Sequence, residues 1–357
     1  MDIKALYSKS EALLQLLIST PSFSKEEAGT AAVLVDFLKK QGVKTHQQLN
    51  NVWAFNKHYN ADLPTLLLNS HHDTVKPNPG YTRPPFEPSI EDGKLYGLGS
   101  NDAGGCLVAL LATFLYFYER EDLTYNLVFA ATAEEEISGR NGIELILPEL
   151  GTLEAAIVGE PTEMHLAIAE KGLLVLDCIA KGKAGHAARE EGINAIYEAL
   201  PAIEWFKSYT FAKQSAHLGP VKMSVTMIQA GAQHNVVPDN CQFTVDVRLT
   251  DAYTMDEVLA VIRQHVAVEV KPRSERLKPS SISIDHPLVK AGIELGRTTY
   301  GSPTTSDQAL LPIPSLKLGP GFSGRSHMAD EYINLHEVEE GIRLYIALLE
   351  KVILKNS

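Results

Sequence analysis

The chain has 357 residues, 45% hydrophobic and 21% charged, an ordinary soluble composition with length for two domains or one large one. A formal net charge of −12 excludes the basic face that a nucleic-acid or anionic-membrane partner needs. The three cysteines, Cys106, Cys178 and Cys241, are far apart and odd in number, so they read as reduced thiols of a cytoplasmic protein.

Met1-Asp2-Ile3-Lys4 opens a helical pattern rather than a signal peptide. Leu6, Leu13, Leu14, Leu16, Leu17 and Ile18 keep mostly helical spacing over residues 5–19, and Pro21 stops that helix. Ser24-Lys25-Glu26-Glu27 has the form of a capping box, and the helix behind it carries Val33, Leu34, Phe37 and Leu38 up to Gly42. Residues 52–55 and 65–69 read as strands, the second running straight into Ser70-His71-His72-Asp73. A proline-rich loop then leads to Gly97-Leu98-Gly99-Ser100-Asn101-Asp102-Ala103-Gly104-Gly105 and an apolar helix from Cys106 that is expected to be buried. Its apolar stretch, 106–118, is short for a bilayer. The glycines match neither a dinucleotide fingerprint nor a Walker pattern.

Residues 126–132 form a continuous apolar run, the signature of a buried strand, and the chain then carries Glu134, Glu135 and Glu136. Three carboxylates at such a place raise one another's pKa unless a cation neutralises them. A helical pattern at 145–150 and a strand at 154–159 follow, ending on Glu160-Pro161-Thr162.

From Leu173 the texture changes. Residues 173–180, 221–229 and 241–249 alternate apolar and polar side chains as half-buried antiparallel strands do, with helices at 193–206 and 255–266 and a last strand near 267–284. This block, 173–283, reads as a small α+β unit inserted into an α/β domain formed by 1–172 and 284–357. From His286 the first texture returns, with a helix at 287–298, a strand at 315–318, a glycine-rich loop reaching His327 and a closing helix at 335–354.

His71, Asp73, Glu136, Glu160 and His327 thus follow the ends of predicted strands, and Asp102 opens a helix after a glycine turn. In open α/β sheets ligands bind beyond the carboxyl ends of parallel strands, so these side chains are expected in one cleft. Histidine and carboxylate together suit a hydrolytic zinc site.

His71-x-Asp73, Gly-Ser-Asn-Asp102, Ala-Glu-Glu135-Glu136, Gly-Glu160-Pro-Thr and the late His327 resemble, in order, the motifs of the M20 metallopeptidases. Among these the notable likeness is to acetylornithine deacetylase and succinyl-diaminopimelate desuccinylase. The resemblance implies an α/β catalytic domain with a central, mostly parallel sheet and two zinc ions, with cobalt as a substitute. It implies that Asp102 bridges the metals, that His71 and Glu160 complete one site, and that Glu136 and His327 complete the other. Asp73 would orient His71, and Glu135 would be the general base. The inserted block would be the dimerisation or lid domain of a homodimer. In it Gly182-Lys183-Ala184-Gly185-His186 would bring His186 to a neighbouring active site, while Asn235 and Arg248 would bind substrate, Arg248 through a carboxylate. The implied reaction is hydrolysis of the N-acyl amide of a small amino acid such as N-acetylornithine, N-acyl-citrulline or N-succinyl-diaminopimelate. Two departures stand out: no lysine follows Asp102, where Ala103 leads to Gly104-Gly105, and His72 neighbours His71.

His72 is expected to support the structure. Arg248 reads also as an ordinary strand arginine, Asn235 as a turn residue, and Thr305-Ser306-Asp307 as either pocket lining or a helix cap. A serine hydrolase needs G-x-S-x-G, and Gly321-Phe322-Ser323-Gly324-Arg325 fails at its last position. Glu135, which is no ligand in the resemblance, weighs against a non-catalytic metal-binding protein. A dipeptidase or carboxypeptidase of the same fold differs only in substrate and stays open.

Overall fold

A computed structural model describes residues 2–189 and 191–354. It divides into two compact units: one holds the chain up to Ile168, Ser281–Tyr300 and the part from Ser306, the other holds Ala169–Ser280 with Gly301–Thr305.

The first unit is built on a sheet whose spatial order is His46–Gln48, Asn51–Phe55, Asn126–Thr132, Thr65–His71, Leu153–Val158, Ser315–Lys317 and Leu166–Glu170. The four strands from Asn126–Thr132 to Ser315–Lys317 are parallel, as the apolar runs predict, and the flanking pairs are antiparallel. Both faces are covered, so every residue of Thr65–His71 and Asn126–Thr132 is buried. Alternate side chains serve opposite layers. Leu66, Leu68, Leu127 and Phe129 pack with the helices Ile3–Ile18, Gly105–Phe117 and Leu335–Ile353. Leu67, Val128 and Ala130 pack with Trp53, Ile143 and Ile146 on the other side. Residues 100–117 are long and apolar enough to cross a membrane by length and composition, but 89% of this stretch is buried within the protein, which makes it a core helix.

In register, His71 pairs with Thr132 and Asn69 with Val158. The strands therefore end level, and the residues that follow them emerge along one edge.

The second unit is an antiparallel sheet, ordered Lys222–Ala230, Asn240–Leu249, Gly172–Lys181, Glu269–Pro272, with the helices Ala195–Ser208 and Met255–His265 packed against it. Thr254 and Glu257 form a capping box on the second helix.

The expected capping box at Ser24–Glu27 does not form. The helix begins at Ala28, and the Ser24 and Glu27 side chains turn to tertiary partners instead. A three-stranded sheet of Ser89–Glu91, Lys94–Tyr96 and Tyr332–Asn334 was also not expected, because its strands are too short to show a period.

Candidate metal centre

Asp102 is carried by a tight turn, Ser100–Gly104, ahead of the helix Gly105–Phe117. The turn needs its glycines. Gly99 lies at φ +76°, and a Cβ there would meet Thr74 Cγ2 at 2.6 Å. A Cβ at Gly104 would lie 2.4 Å from the Gly99 carbonyl oxygen. The turn presents the two Asp102 carboxylate oxygens to two different histidines. Oδ1 lies 3.2 Å from His71 Nε2 and Oδ2 lies 3.7 Å from His327 Nε2. Glu160 Oε1 lies 3.8 Å and Glu135 Oε2 3.9 Å from His71 Nε2, and Glu136 Oε2 lies 3.0 Å from His327 Nε2. His71, Asp102 and Glu136 offer ligand atoms within 4.8 Å of one another, and so do His71, Glu135 and Glu160. His71 is buried, whereas the His327 side chain is 55% exposed and marks the open side.

His71 has a fixed tautomer. Its Nδ1 lies 3.0 Å from the Asp73 carbonyl oxygen, which can only accept, so Nδ1 carries the proton and Nε2 faces the cluster. The Asp73 carboxylate lies 3.3 Å from the same nitrogen. It also accepts from Ser24 Oγ at 2.7 Å, Glu135 N at 3.1 Å and Glu136 N at 3.2 Å. One buried carboxylate therefore ties the His71 ring to the turn Glu135–Ile137. That turn is flanked by Glu134 and Ser138, both left-handed at φ 56° and 48°. Such backbone costs a non-glycine residue about 1–2 kcal/mol and aims Glu135 and Glu136 inward.

Glu134 turns away from the cluster. Its carboxylate accepts from Asn141 Nδ2 at 2.9 Å, and its backbone N–H donates to the buried Glu27. His72 likewise supports the structure. Its Nε2 donates to the Asn50 carbonyl at 2.9 Å and its Nδ1 meets Thr30 Oγ1 at 2.8 Å, while burial lowers its pKa to about 4, keeping it neutral. The sequence reading missed Ser24, Glu27 and Thr30 as supports, although the unused capping box was a signal. Asp307 is buried, accepting from Asn69 Nδ2 at 2.8 Å and Thr132 Oγ1 at 2.7 Å, while Ser306 caps the short turn that follows.

The electrostatics follow from crowding acids in a buried place. Burial pushes the Glu135 carboxyl well above the usual range, with Glu160, Asp307 and Glu136 adding to it against His71. Burial also raises Glu136 and takes Asp307 to about 6. Burial opposes charging His71, but the Glu135 charge and the contacts with Asp102 and Asp73 outweigh it and hold the imidazole well above its ordinary value. The Glu136 hydrogen bond takes His327 to about 9. The carboxylates thus recruit protonated histidines as counter-charges. A donor set of two imidazoles and several carboxylates with surplus negative charge is what divalent cations fit.

The other expected site residues lie in the second unit. Gly185–His186 pairs with Val236–Val237, and Ala187 N donates to the Asn235 carbonyl at 2.9 Å, so His186 and Asn235 are neighbours on an exposed ladder. Arg248 donates from Nε and Nη2 to Asp246 at 2.8 and 3.0 Å, and from Nη1 to Thr305 Oγ1 at 3.3 Å.

A parallel sheet with this cluster along its carboxyl edge defines a metal-dependent hydrolase of the α/β class. Residues 67–351 match peptidase family M20/M25/M40, and the chain belongs to that family. Its fold is similar to that of aminopeptidase PepT from Bacillus cereus, at 20% identity and TM-score 0.78 over 97% of this chain and 98% of that one. It is also similar to the M20 family metallo-carboxypeptidase Sso-CP2 from Sulfolobus solfataricus, at 19% identity and TM-score 0.75 over 98% and 99%. A third similar structure is the Bacillus subtilis YXEP protein, a dinuclear metal-binding peptidase, at 18% identity and TM-score 0.76 over 98% of each chain.

Proposed function

We propose that the protein hydrolyses the N-acyl amide of a small amino acid, N-acetylornithine or a related N-acyl-ornithine or N-acyl-citrulline, to a carboxylate and a free amine. The observation that carries the metal-dependent hydrolysis in this reading is the pair of Asp102 oxygens facing His71 and His327 separately; the choice of acyl amide rests on the order and kind of the sequence motifs. It supports Asp102 as the ligand shared by two zinc ions, His71 and Glu160 holding one and Glu136 and His327 the other, with cobalt as a substitute. When bound, such cations polarise the amide carbonyl and ease deprotonation of the attacking water.

Glu135 takes the proton of the attacking water and passes it to the amine nitrogen as the C–N bond breaks. Asp73 keeps His71 in one tautomer and Glu135 on its turn. His186 steadies the oxyanion from a second subunit, Asn235 helps to place the substrate, and Arg248 binds its carboxylate. Support for a homodimer through residues 173–283 comes from the edge strand Lys222–Ala230, whose Met227 and Ile228 are 64% and 58% exposed. The buried free thiols Cys106, Cys178 and Cys241 support a reducing, cytoplasmic setting.

Short peptides are the second reading, favoured by the peptidases among the similar structures. The test is a screen of purified protein, loaded with zinc or cobalt, against N-acetyl and N-succinyl derivatives of ornithine, citrulline and diaminopimelate, and against di- and tripeptides. Turnover confined to peptides would replace the deacylase reading with the second one.

A further inference from the structure

The carboxylate of Glu331 has no part in the chemistry above, yet it is buried, at 2% exposure, directly behind Asp102. Its Oε1 accepts from Asn101 N at 2.8 Å and from Asp102 N at 2.9 Å, and its Oε2 accepts from Gly99 N at 3.1 Å. Its own carbonyl accepts from Gly97 N at 3.0 Å, and the next residues, Tyr332–Asn334, pair with Lys94–Tyr96. The segment is tied down further by Asp330, which accepts from Thr82 N, Thr82 Oγ1 and Arg83 N. Four residues before Glu331, the same segment carries His327, which faces Asp102 Oδ2.

Among the described residues no basic side chain forms an ion pair with Glu331. An apolar residue there would leave Gly99 N, Asn101 N and Asp102 N without this acceptor. What the carboxyl group does is collect three backbone N–H groups of the turn that carries Asp102.

We propose that Glu331 is the positioning residue of Asp102, locking the backbone of residues 99–102 so that the two Asp102 oxygens stay aimed at His71 and His327 for cation binding. The inference rests on Asp102 being a cation ligand. Supports of this kind typically govern metal affinity by 10–100-fold. In Glu331→Gln one carboxamide oxygen still reaches Asn101 N and Asp102 N, but the amide NH2 is set against Gly99 N–H. In Glu331→Ala all three acceptors are gone.

The experiment uses the full-length protein stripped with a chelator and then titrated with zinc and with cobalt by calorimetry. The visible spectrum of the cobalt form and the melting temperature of the stripped form are followed in parallel. The expected result is a roughly tenfold loss of affinity in Glu331→Gln and a larger loss in Glu331→Ala, with an altered cobalt spectrum. The stripped Glu331→Gln protein should melt close to the parent, because the carboxamide oxygen still accepts from Asn101 N and Asp102 N. A merely structural role gives the opposite pattern: a stripped variant that melts lower or does not fold, with cation affinity in the folded fraction within about twofold of the parent. That pattern overturns the inference. Asp102→Ala separates the two readings. If it leaves cation affinity unchanged, the assignment of Asp102 falls; if it weakens binding while both Glu331 variants bind as the parent does, only the role of Glu331 falls.

Discussion

Replacing Asp73 by asparagine keeps the shape of the side chain and removes one acceptor. In the protein the Asp73 carboxylate is fully buried and faces four donors: Ser24 Oγ, Glu135 N, Glu136 N and His71 Nδ1. If the new amide nitrogen takes the Oδ1 position, it meets both Glu135 N–H and the protonated His71 Nδ1. If it takes the Oδ2 position, it meets Glu136 N–H and Ser24, whose hydroxyl can turn to accept. The second arrangement costs less, and it still loses one charge-assisted hydrogen bond and leaves a buried N–H opposed by a donor. Hydrogen bonds to charged groups contribute about 1.5–3 kcal/mol each, and an unsatisfied buried group costs about 1–3 kcal/mol. The expected local loss is therefore about 2.5–6 kcal/mol. It falls on the turn that aims Glu135 and Glu136, so cation affinity should drop about 10–100-fold. Competition against a chelator of known affinity, with thermal melting of the stripped protein alongside, measures both quantities. A variant that binds zinc within threefold of the parent would refute the claim that Asp73 organises the cluster.

Glu135→Gln should keep cation affinity while lowering kcat by about 10²–10⁴-fold, measured on whichever amide the screen identifies; a variant with full activity sinks the proton-transfer role. The stripped protein should lose stability as pH rises. Burial holds Glu331 at about 8 and Asp307 at about 6, so each keeps a proton in the folded state that the unfolded chain has released above about pH 4–4.5. The Glu136 hydrogen bond holds His327 at about 9, so its stabilising charge is complete below about pH 6.5 and is lost as pH rises through 9. The melting temperature of the stripped form should therefore fall by several degrees between pH 6 and pH 9, and added zinc should shrink that fall; a rise over the same range contradicts the assignment. Met227→Glu with Ile228→Glu should convert the proposed homodimer to monomers in light scattering, since both side chains are exposed on an edge strand. An unchanged mass would remove this strand from the interface.

The sheet was legible because its strands are written as apolar runs bounded by polar residues. Residues 126–132 and 65–69 match Asn126–Thr132 and the start of Thr65–His71. The alternation of 241–249 likewise matches Asn240–Leu249. The strand Leu166–Glu170 was missed: it is five residues long and buried throughout, so its pattern does not separate it from its surroundings. The Ser24–Glu27 segment misled for a different reason. Its residue types suit a helix cap, but Ser24 donates to Asp73 and Glu27 accepts from Glu134 N, and those partners lie 49 and 107 residues away.

The amino-acid sequence by itself determined which residues are candidates for the chemistry and where along the chain they occur: histidines and acids placed just beyond buried strands, and an aspartate behind a glycine turn. Those are local relations, and local patterns record them. Only the tertiary structure decided that the strands end level, that the two oxygens of Asp102 face two different histidines, that Asp73 also accepts from the Glu135 and Glu136 N–H groups, and that Glu331 accepts from the turn carrying Asp102. Glu331 and Asp102 are 229 residues apart, and no periodicity or spacing links them. Their meeting depends on strand register and on the closing of the small Lys94–Tyr96 and Tyr332–Asn334 ladder, which exist only once the chain has folded.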